Sequence, residues 1–217
     1  QRDRNTNNVY LVYSSPKTPS KVYLYNLQNK SKKLVKEQEI PSGHNPDDYI
    51  VERIEYKSHD GRSVPLTITR HKKTKIDGSA NLLLYGYGSY GSSMSPNFSS
   101  TRLSLIDRNI IWATAHIRGG MEKGMKWWKE GKLTNKKNTF EDYIYAAKYL
   151  IENKYTSKRK IIGMGGSAGG LLMGAVVNQS PELFLGIIMA VPFVDSLTTN
   201  LDHSLPLTIG EFDEFGN

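Results

Sequence analysis

The feature that most constrains the fold is the alternation, from residue 81 onward, of short apolar runs with helical stretches. The runs NLLLYGYG and NIIWATAHIRGG are typical of buried strands, KIIGMGG and LGIIMAV also predict strands, and the segments between these runs predict helices. Strands that alternate with helices form right-handed crossovers and a mostly parallel sheet covered on both faces. The sequence therefore predicts an α/β fold in which one strand follows the helical stretch SAGGLLMGAVVNQ. Within NTFEDYIYAAKYLIENK, Thr139 and Asp142 have the spacing of a helix N-terminal cap.

The residues before this region predict β structure. Two β-rich runs, 9–14 and 21–26, flank the turn-forming segment SPKTPS, and the polar segment LQNKSKKL then turns the chain. A second hairpin is predicted around Asp60 and Gly61, and its first strand is expected near a sheet edge because its inner face is imperfectly apolar. Between the hairpins, PSGHNPDD predicts a linker. We therefore expect a β segment over 1–45, a linker to about residue 49, and an α/β unit over 50–217.

Composition excludes several classes of function. The 217 residues include no cysteine, which rules out disulfides, thiol catalysis and zinc-thiolate sites and fits a cytoplasmic location. The net charge of +8 comes mostly from scattered lysines, so we expect a solvated surface and no nucleic-acid partner. No apolar run approaches the roughly 20 residues that a membrane span needs, and the polar start QRDRNTNN does not resemble a signal peptide. We expect no membrane partner, metal or cofactor.

The segment GMGGSAGG carries the pattern G-x-S-x-G at Gly165, Ser167 and Gly169. At a turn from a strand to a helix, this spacing projects the serine hydroxyl from a strained elbow, while the glycines allow close approach of backbone. The helix that begins there directs free N–H groups at developing negative charge, so the Ala168 amide is the natural oxyanion donor. The alternative is a glycine-rich turn that binds phosphate or only packs tightly. The predicted strand before it and apolar helix after it favour a nucleophile.

A serine nucleophile also needs a base. The one histidine after Ser167 is His203, and no later strand returns it to the elbow, so we do not expect it to be the base. Asp195 follows a strand and is a possible acid, whereas His116 is expected to be a packed or hydrogen-bonded histidine. The loop in LLLYGYGSYG lies where a second oxyanion donor would be needed, although a packed tyrosine is the more common outcome.

Six blocks of the sequence together resemble the prolyl oligopeptidase family of serine peptidases, and within it the oligopeptidase B group. They are LLLYGYGSYG, HIRGG, KKNTFEDY, GMGGSAGGLLMGAVVNQSPELF, VPFVDSLTT and LPLTIGEFDEFGN. The resemblance implies an α/β-hydrolase domain joined to a β-propeller, with residues 9–26 in the last propeller blade. It also implies that the acid and histidine of the triad lie beyond residue 217, so we expect residues 1–217 to be a slice of a larger protein and nearly inactive alone.

The resemblance also implies roles for individual residues. Ser167 matches the nucleophile of the family, Ala168 its backbone oxyanion donor, and Tyr87 its hydroxyl oxyanion donor. Members of the oligopeptidase B group cleave short peptides after arginine or lysine. Glu211 matches the principal acidic residue that holds this cationic side chain, and Asp213 stands where the group has a second glutamate.

Other departures from the family pattern leave alternatives open. Ser95 and Asn97 stand where the group often has two aspartates, so a preference for dibasic sites is not implied. A catalytically inactive remnant that acts as a binding protein, or an esterase that uses the same elbow, would carry the same motif. Ending after one post-elbow strand leaves an uncovered sheet edge, through which we expect self-association.

Overall fold

The computed structural model describes residues 6–206 and 208–216, and its N-terminal part is a three-stranded antiparallel sheet. The strands pair in the order β1, β2, β3, with the bounds Asn8–Ser15, Thr18–Asn26 and Lys32–Glu37. The first two form the predicted hairpin. The sequence predicted only a turn where β3 begins, because all six residues of β3 are exposed and leave no apolar face to detect.

A six-stranded sheet forms the rest of the framework, in the order β4, β5, β7, β6, β8, β9. In chain order, these strands are Tyr49–Lys57, Ser63–His71, Leu82–Tyr85, Ile111–Ala115, Ile161–Gly166 and Phe184–Ala190. The β4–β5 and β5–β7 pairings are antiparallel, and the other three are parallel. The predicted α/β fold with a mostly parallel sheet is confirmed, and β4 lies at an edge as expected. The predicted division near residues 45–50 falls between β3 and β4 and, as a domain boundary, stays a prediction.

Six α-helices flank this sheet within the described residues. In chain order, α1 to α6 are Ser100–Ile106, Met125–Lys129, Lys137–Glu152, Ala168–Gln179, Ser196–Leu201 and Thr208–Phe215. The core lies between the sheet and the helices α3 and α4, where Tyr143 and Leu172 are fully buried. The Tyr143 hydroxyl donates to the carbonyl oxygen of Leu84 at 2.5 Å, which ties α3 to β6.

The predicted N-terminal cap at Thr139 and Asp142 is wrong, because α3 begins earlier, at Lys137. The Thr139 hydroxyl donates instead to the carbonyl oxygens of Arg118 and Gly131, at 2.9 and 3.1 Å. Asp142 is fully buried and binds the Arg118 guanidinium. Both polar side chains therefore bind Arg118, in the segment that follows β7. These tertiary contacts replace the local capping contacts that the sequence pattern predicted.

The edge strand β9 exposes much of its apolar surface. Leu185, Ile188 and Met189 are 60%, 44% and 44% exposed, and Val191 directly after the strand is 84% exposed. Over residues 6–206 and 208–216, no helix combines the length and apolar character required to cross a membrane. The same residues bring together no group of three His, Cys, Asp or Glu side chains suited to a metal ion.

Candidate active site

Ser167 lies in a strained turn between β8 and α4. Its backbone φ is 54° and its ψ is −118°, a region that residues other than glycine rarely adopt. The Ser167 N–H donates to the carbonyl oxygen of Ala190 at 2.9 Å, and the Phe193 N–H donates to the carbonyl oxygen of Ser167 at 3.0 Å. The end of β9 and the segment after it therefore hold the elbow in this conformation, with Ser167 exposed at its tip.

The glycines around Ser167 are required by close contacts between backbone segments. A Cβ atom at Gly165 would lie 2.2 Å from the carbonyl oxygen of Gly169, well inside contact distance. A Cβ atom at Gly169 would lie 2.9 Å from the carbonyl oxygen of Gly86 and 3.3 Å from the Tyr87 ring. The elbow thus packs directly against the loop that follows β6, as the G-x-S-x-G pattern indicated.

Ala168 is the first residue of α4 and is 1% exposed. N–H groups in the first turn of a helix have no intrahelical acceptor, and the helix dipole places partial positive charge there. An anion that forms next to the Ser167 hydroxyl would therefore meet an N–H donor supplied by the backbone.

Tyr87 lies in the tyrosine loop, which we define as residues 86–91. Burial raises the pKa of the Tyr87 phenol above its ordinary value, and the neighbouring Ser167 side chain acts weakly in the opposite direction. The phenol is therefore protonated at neutral pH and lies beside the Ser167 hydroxyl. Its hydroxyl can donate to the same anion as the Ala168 amide.

The tyrosine loop also contacts α6. The Tyr90 hydroxyl donates to Glu211 Oε2 at 2.5 Å, and the Tyr90 ring lies edge-on against Phe215 with centroids 5.9 Å apart. Burial, followed by the interaction with Glu211, raises the pKa of Tyr90, so this donor keeps its proton. The Tyr87 and Tyr90 rings have centroids 6.2 Å apart, so one loop reaches both the elbow and the Glu211 carboxylate.

The two predicted acidic residues of α6 do not lie together. The Asp213 side chain is 82% exposed, and its carboxylate lies 3.3 Å from Lys132 Nζ. Residues two apart in a helix face different directions, whereas residues three apart share a face. The carboxylate that follows Glu211 on the same face is Glu214, which is 2% exposed.

Sequence reasoning missed the contacts of Glu214. Its Oε2 accepts from Trp128 Nε1 at 2.8 Å, and its Oε1 accepts from Lys136 Nζ at 3.0 Å. These partners precede Glu214 by 86 and 78 residues, so only the spacing of Glu211 and Glu214 could have indicated that Glu214 points inward. Tyr90 was likewise missed as the partner of Glu211.

The histidines of the chain have other partners. His116 is buried as predicted, with Nε2 2.8 Å from Thr67 Oγ1 and Nδ1 3.4 Å from Glu122 Oε1. His203 is exposed and lies against the Phe212 ring, and Asp195 caps α5 by accepting from the Thr198 N–H. In the part of the chain that the structure describes, no histidine is hydrogen-bonded to Ser167.

Ser95 and Asn97 lie in an exposed segment between β6 and α1. Their backbones are linked by a hydrogen bond of 2.9 Å from the Asn97 N–H to the Ser95 carbonyl oxygen. The Asn97 carbonyl oxygen also accepts from Arg102 Nη1 at 3.1 Å, so Asn97 is already in contact with a positively charged side chain.

Comparisons with known proteins agree on one family. A family model described as the prolyl oligopeptidase family matches residues 96–217. Dipeptidyl aminopeptidase BI of Pseudoxanthomonas mexicana is 47% identical over 206 residues, which are 94% of this chain and 28% of that protein. Protease 2 of Moraxella lacunata is 43% identical over 217 residues, which are 100% of this chain and 31% of that protein.

A solved structure agrees with these sequence matches. The structure of oligopeptidase B from Leishmania major superimposes with a TM-score of 0.93 at 42% identity, over 99% of this chain and 30% of that one. The six-stranded sheet corresponds to the α/β-hydrolase part of such structures, and the strands β1 to β3 correspond to their propeller-like part. The chain spans about 30% of the length of the relatives that it matches.

Proposed function

Because this chain belongs to the prolyl oligopeptidase family, we propose that it carries the nucleophile, the oxyanion donors and the cation-binding carboxylate of a serine peptidase. Its substrates are short peptides cleaved after arginine or lysine. The observation that carries the proposal is the strained elbow, where Ser167, at φ 54°, is exposed beside the Tyr87 phenol and at the first turn of α4.

In the proposed reaction, Ser167 Oγ attacks the carbonyl carbon of the scissile peptide bond. The negative charge that develops on the carbonyl oxygen accepts hydrogen bonds from the Ala168 N–H and the Tyr87 hydroxyl. The serine proton passes to a histidine and from it to the leaving amine as the C–N bond breaks, and water then hydrolyses the acyl-enzyme. These proton transfers require a histidine and an aspartate, which the family pattern places after residue 217.

Glu211 is proposed to hold the cationic side chain before the scissile bond. A carboxylate accepts short, charge-assisted hydrogen bonds from a guanidinium or ammonium group. Its Oε2 already accepts from Tyr90, so the Oε1 atom is the one that meets the substrate. Asp213, which is 82% exposed, is proposed to attract cationic peptides at longer range without contacting them.

The experiment uses the protein expressed from its complete gene. Ser167→Ala should lower kcat/KM for an arginyl-amide substrate by about 10³-fold or more and abolish labelling by a fluorophosphonate probe. Ser204→Ala is the matched control, because Ser204 is exposed and its hydroxyl bonds only to Asp202 among the described residues. Equal activity of the two variants would contradict the proposal. Wild-type protein that neither cleaves peptides nor reacts with the probe would favour the inactive binding protein instead.

One comparison favours a second candidate function. The relative from Pseudoxanthomonas mexicana is named a dipeptidyl aminopeptidase, a class of enzyme that removes two residues from a free N-terminus. Cleavage of the same arginyl peptide with a free and with an acetylated N-terminus distinguishes the two activities. We expect both forms to be cleaved, as for an oligopeptidase, and strict dependence on the free amine would assign the second function. Hydrolysis of neutral esters but not of arginyl amides would instead favour the esterase.

We further propose that the isolated 217-residue chain self-associates through β9. The exposed apolar side chains of this edge strand, Leu185, Ile188 and Met189, support the proposal, since open edges with apolar surface pair readily. Sedimentation velocity should detect oligomers that Ile188→Lys weakens, while a monomeric wild-type chain would contradict it. The cytoplasmic location expected from the sequence remains a prediction.

A further inference from the structure

Lys136 joins the tyrosine loop to α6 through a single ammonium group. Its Nζ lies 2.7 Å from the carbonyl oxygen of Gly88, 2.5 Å from Ser89 Oγ and 3.0 Å from Glu214 Oε1. An ammonium group has three donors, and these three acceptors use all of them. Two of the acceptors lie between Tyr87 and Tyr90, and the third lies one helical turn after Glu211.

The contact between Lys136 and Glu214 is buried, and closely packed residues surround it on the α6 side and on the loop side. The side chains of Lys136 and Glu214 are 12% and 2% exposed, and the second oxygen of Glu214 accepts from Trp128 Nε1 at 2.8 Å. On the loop side, a Cβ atom at Gly88 would lie 2.4 Å from the Thr139 side chain, so the loop also packs closely against α3. Burial lowers the pKa of Lys136 below its ordinary value, although the contact with the Glu214 carboxylate acts in the opposite direction.

This arrangement lies between the two groups that a cationic substrate must reach at the same time. The Tyr87 hydroxyl receives the oxyanion, and Glu211 receives the side chain of the residue before the scissile bond. The separation of these two groups decides whether a bound arginine places its carbonyl carbon at Ser167 Oγ. Misplacement of a reacting group by about 1 Å can lower a rate by roughly 100-fold.

We propose that Lys136 is a positioning residue that sets the tyrosine loop and α6 at the separation required for cleavage after a basic residue. The inference rests on the function proposed above. Among the described residues, Lys136 makes no hydrogen bond to Ser167 or to Tyr87. It acts through Gly88 and Ser89 on Tyr87, and through Glu214 on Glu211. Its effect is therefore expected mainly on substrates that use both Tyr87 and Glu211, and much less on substrates that use Tyr87 alone.

The test compares an arginyl-amide substrate with a small neutral ester in the protein expressed from its complete gene. Lys136→Met should lower kcat/KM for the arginyl amide by about 10- to 100-fold and that for the neutral ester by less than about threefold. Lys137→Met is the matched control. Lys137 is exposed at the start of α3 and makes no side-chain hydrogen bond or ion pair with the described residues, so its loss should change neither kcat/KM value.

A purely structural role predicts a different pattern. If Lys136→Met lowers both activities by the same factor while the thermal midpoint and fluorophosphonate labelling are retained, the inference is wrong. If Lys136→Met does not fold, Glu214→Gln decides by the same criterion, because glutamine keeps the size and the Trp128 bond but removes the charge. Failure of the proposed function has its own signature, since Ser167→Ala would then leave peptide cleavage intact.

Discussion

The Tyr90 hydroxyl donates to Glu211 Oε2 at 2.5 Å, across 121 positions of sequence. The bond occupies one carboxylate oxygen and orients the other, which matters because a misaligned carboxylate loses the directional part of its hydrogen bonds to a cation. Tyr90 lies three residues after Tyr87 in the same loop. The loop that supplies the proposed oxyanion donor thus also aligns the proposed specificity residue.

Replacing Tyr90 tests this alignment. Tyr90→Phe should raise KM for an arginyl amide by roughly tenfold, since a hydrogen bond to a charged group contributes about 1.5 kcal/mol. KM for a neutral ester should stay unchanged, because such a substrate does not use Glu211. Steady-state kinetics with both substrates measure the difference, and Tyr10→Phe, at a site 69% exposed, is the control. A rise in both KM values would contradict the role.

Two of the three acidic residues of α6, Glu211 and Asp213, should differ sharply in their effect on substrate binding. Glu211→Gln should raise KM for arginyl and lysyl substrates by about 10- to 100-fold, because a hydrogen-bonded carboxylate that faces a cation is lost. Asp213→Asn should change it by less than about threefold, because its carboxylate is 82% exposed and screened by water. Similar losses in both variants would show that both carboxylates contact the substrate.

The glycine at position 165 should be indispensable for the elbow. Gly165→Ala places a methyl group 2.2 Å from the carbonyl oxygen of Gly169 and should lower the free energy of unfolding by about 1 to 3 kcal/mol. Gly186→Ala in β9 is the control, since its Cβ would meet nothing within 4 Å. We expect that variant to be unchanged or more stable by up to about 1 kcal/mol. Urea unfolding measures both, and equal stabilities would refute the steric argument.

The buried ion pair between Arg118 and Asp142 should contribute strongly to the free energy of unfolding. Arg118 Nη2 lies 2.6 Å from Asp142 Oδ1, with side-chain exposures of 2% and 0%. Arg118→Met leaves a buried carboxylate without its partner and should lower the free energy of unfolding by about 3 to 5 kcal/mol. Arg62→Met, which breaks a more exposed pair with Glu130, should lower it by no more than about 1 kcal/mol. Thermal and urea unfolding of both variants provide the comparison.

Acid should weaken the fold through Asp60. Burial alone would raise the pKa of this carboxyl, but the hydrogen bonds from Arg118 and from the Arg62 N–H lower it below its ordinary value. A depressed carboxyl pKa adds stability above the unfolded pKa of about 3.9, and that stability is lost as pH falls through the lower folded pKa. The stability difference between wild type and Asp60→Asn should therefore shrink below about pH 4. A difference that is independent of pH would contradict this linkage.

Much of the fold follows from local pattern. Strands β6 to β9 coincide with the four apolar runs read from the sequence. The reason for β6 is that a strand buried on both faces must be apolar throughout, whereas β9 is apolar although much of it is exposed. Strand β3 and the start of α3 were not predicted correctly, and α6 was not predicted at all. Strand β3 has no buried face, so no hydrophobic pattern marks it. The start of α3 was misplaced because Thr139 and Asp142 bind Arg118, a partner that local spacing does not reveal.

One part of the candidate site could be predicted from local sequence, and another part could not. The elbow at Ser167 is encoded by five adjacent residues, since a strained turn with close backbone contacts demands glycines at fixed spacing, and its position could be read directly. The neighbours of Glu211 could not be read from local sequence. Tyr90 lies 121 residues away from it, and the pair Lys136 and Glu214 is separated by 78 residues.

The sequence by itself determined the class of fold, the family and the place of the strained serine, because these depend on periodicity and on short motifs. Only the tertiary structure decided which charges face one another. Glu214, not Asp213, is the buried acid of α6, and Lys136 links it to the tyrosine loop. The physical reason is that burial and ion pairing depend on elements distant in sequence, whose approach is set by packing of the whole sheet and its helices.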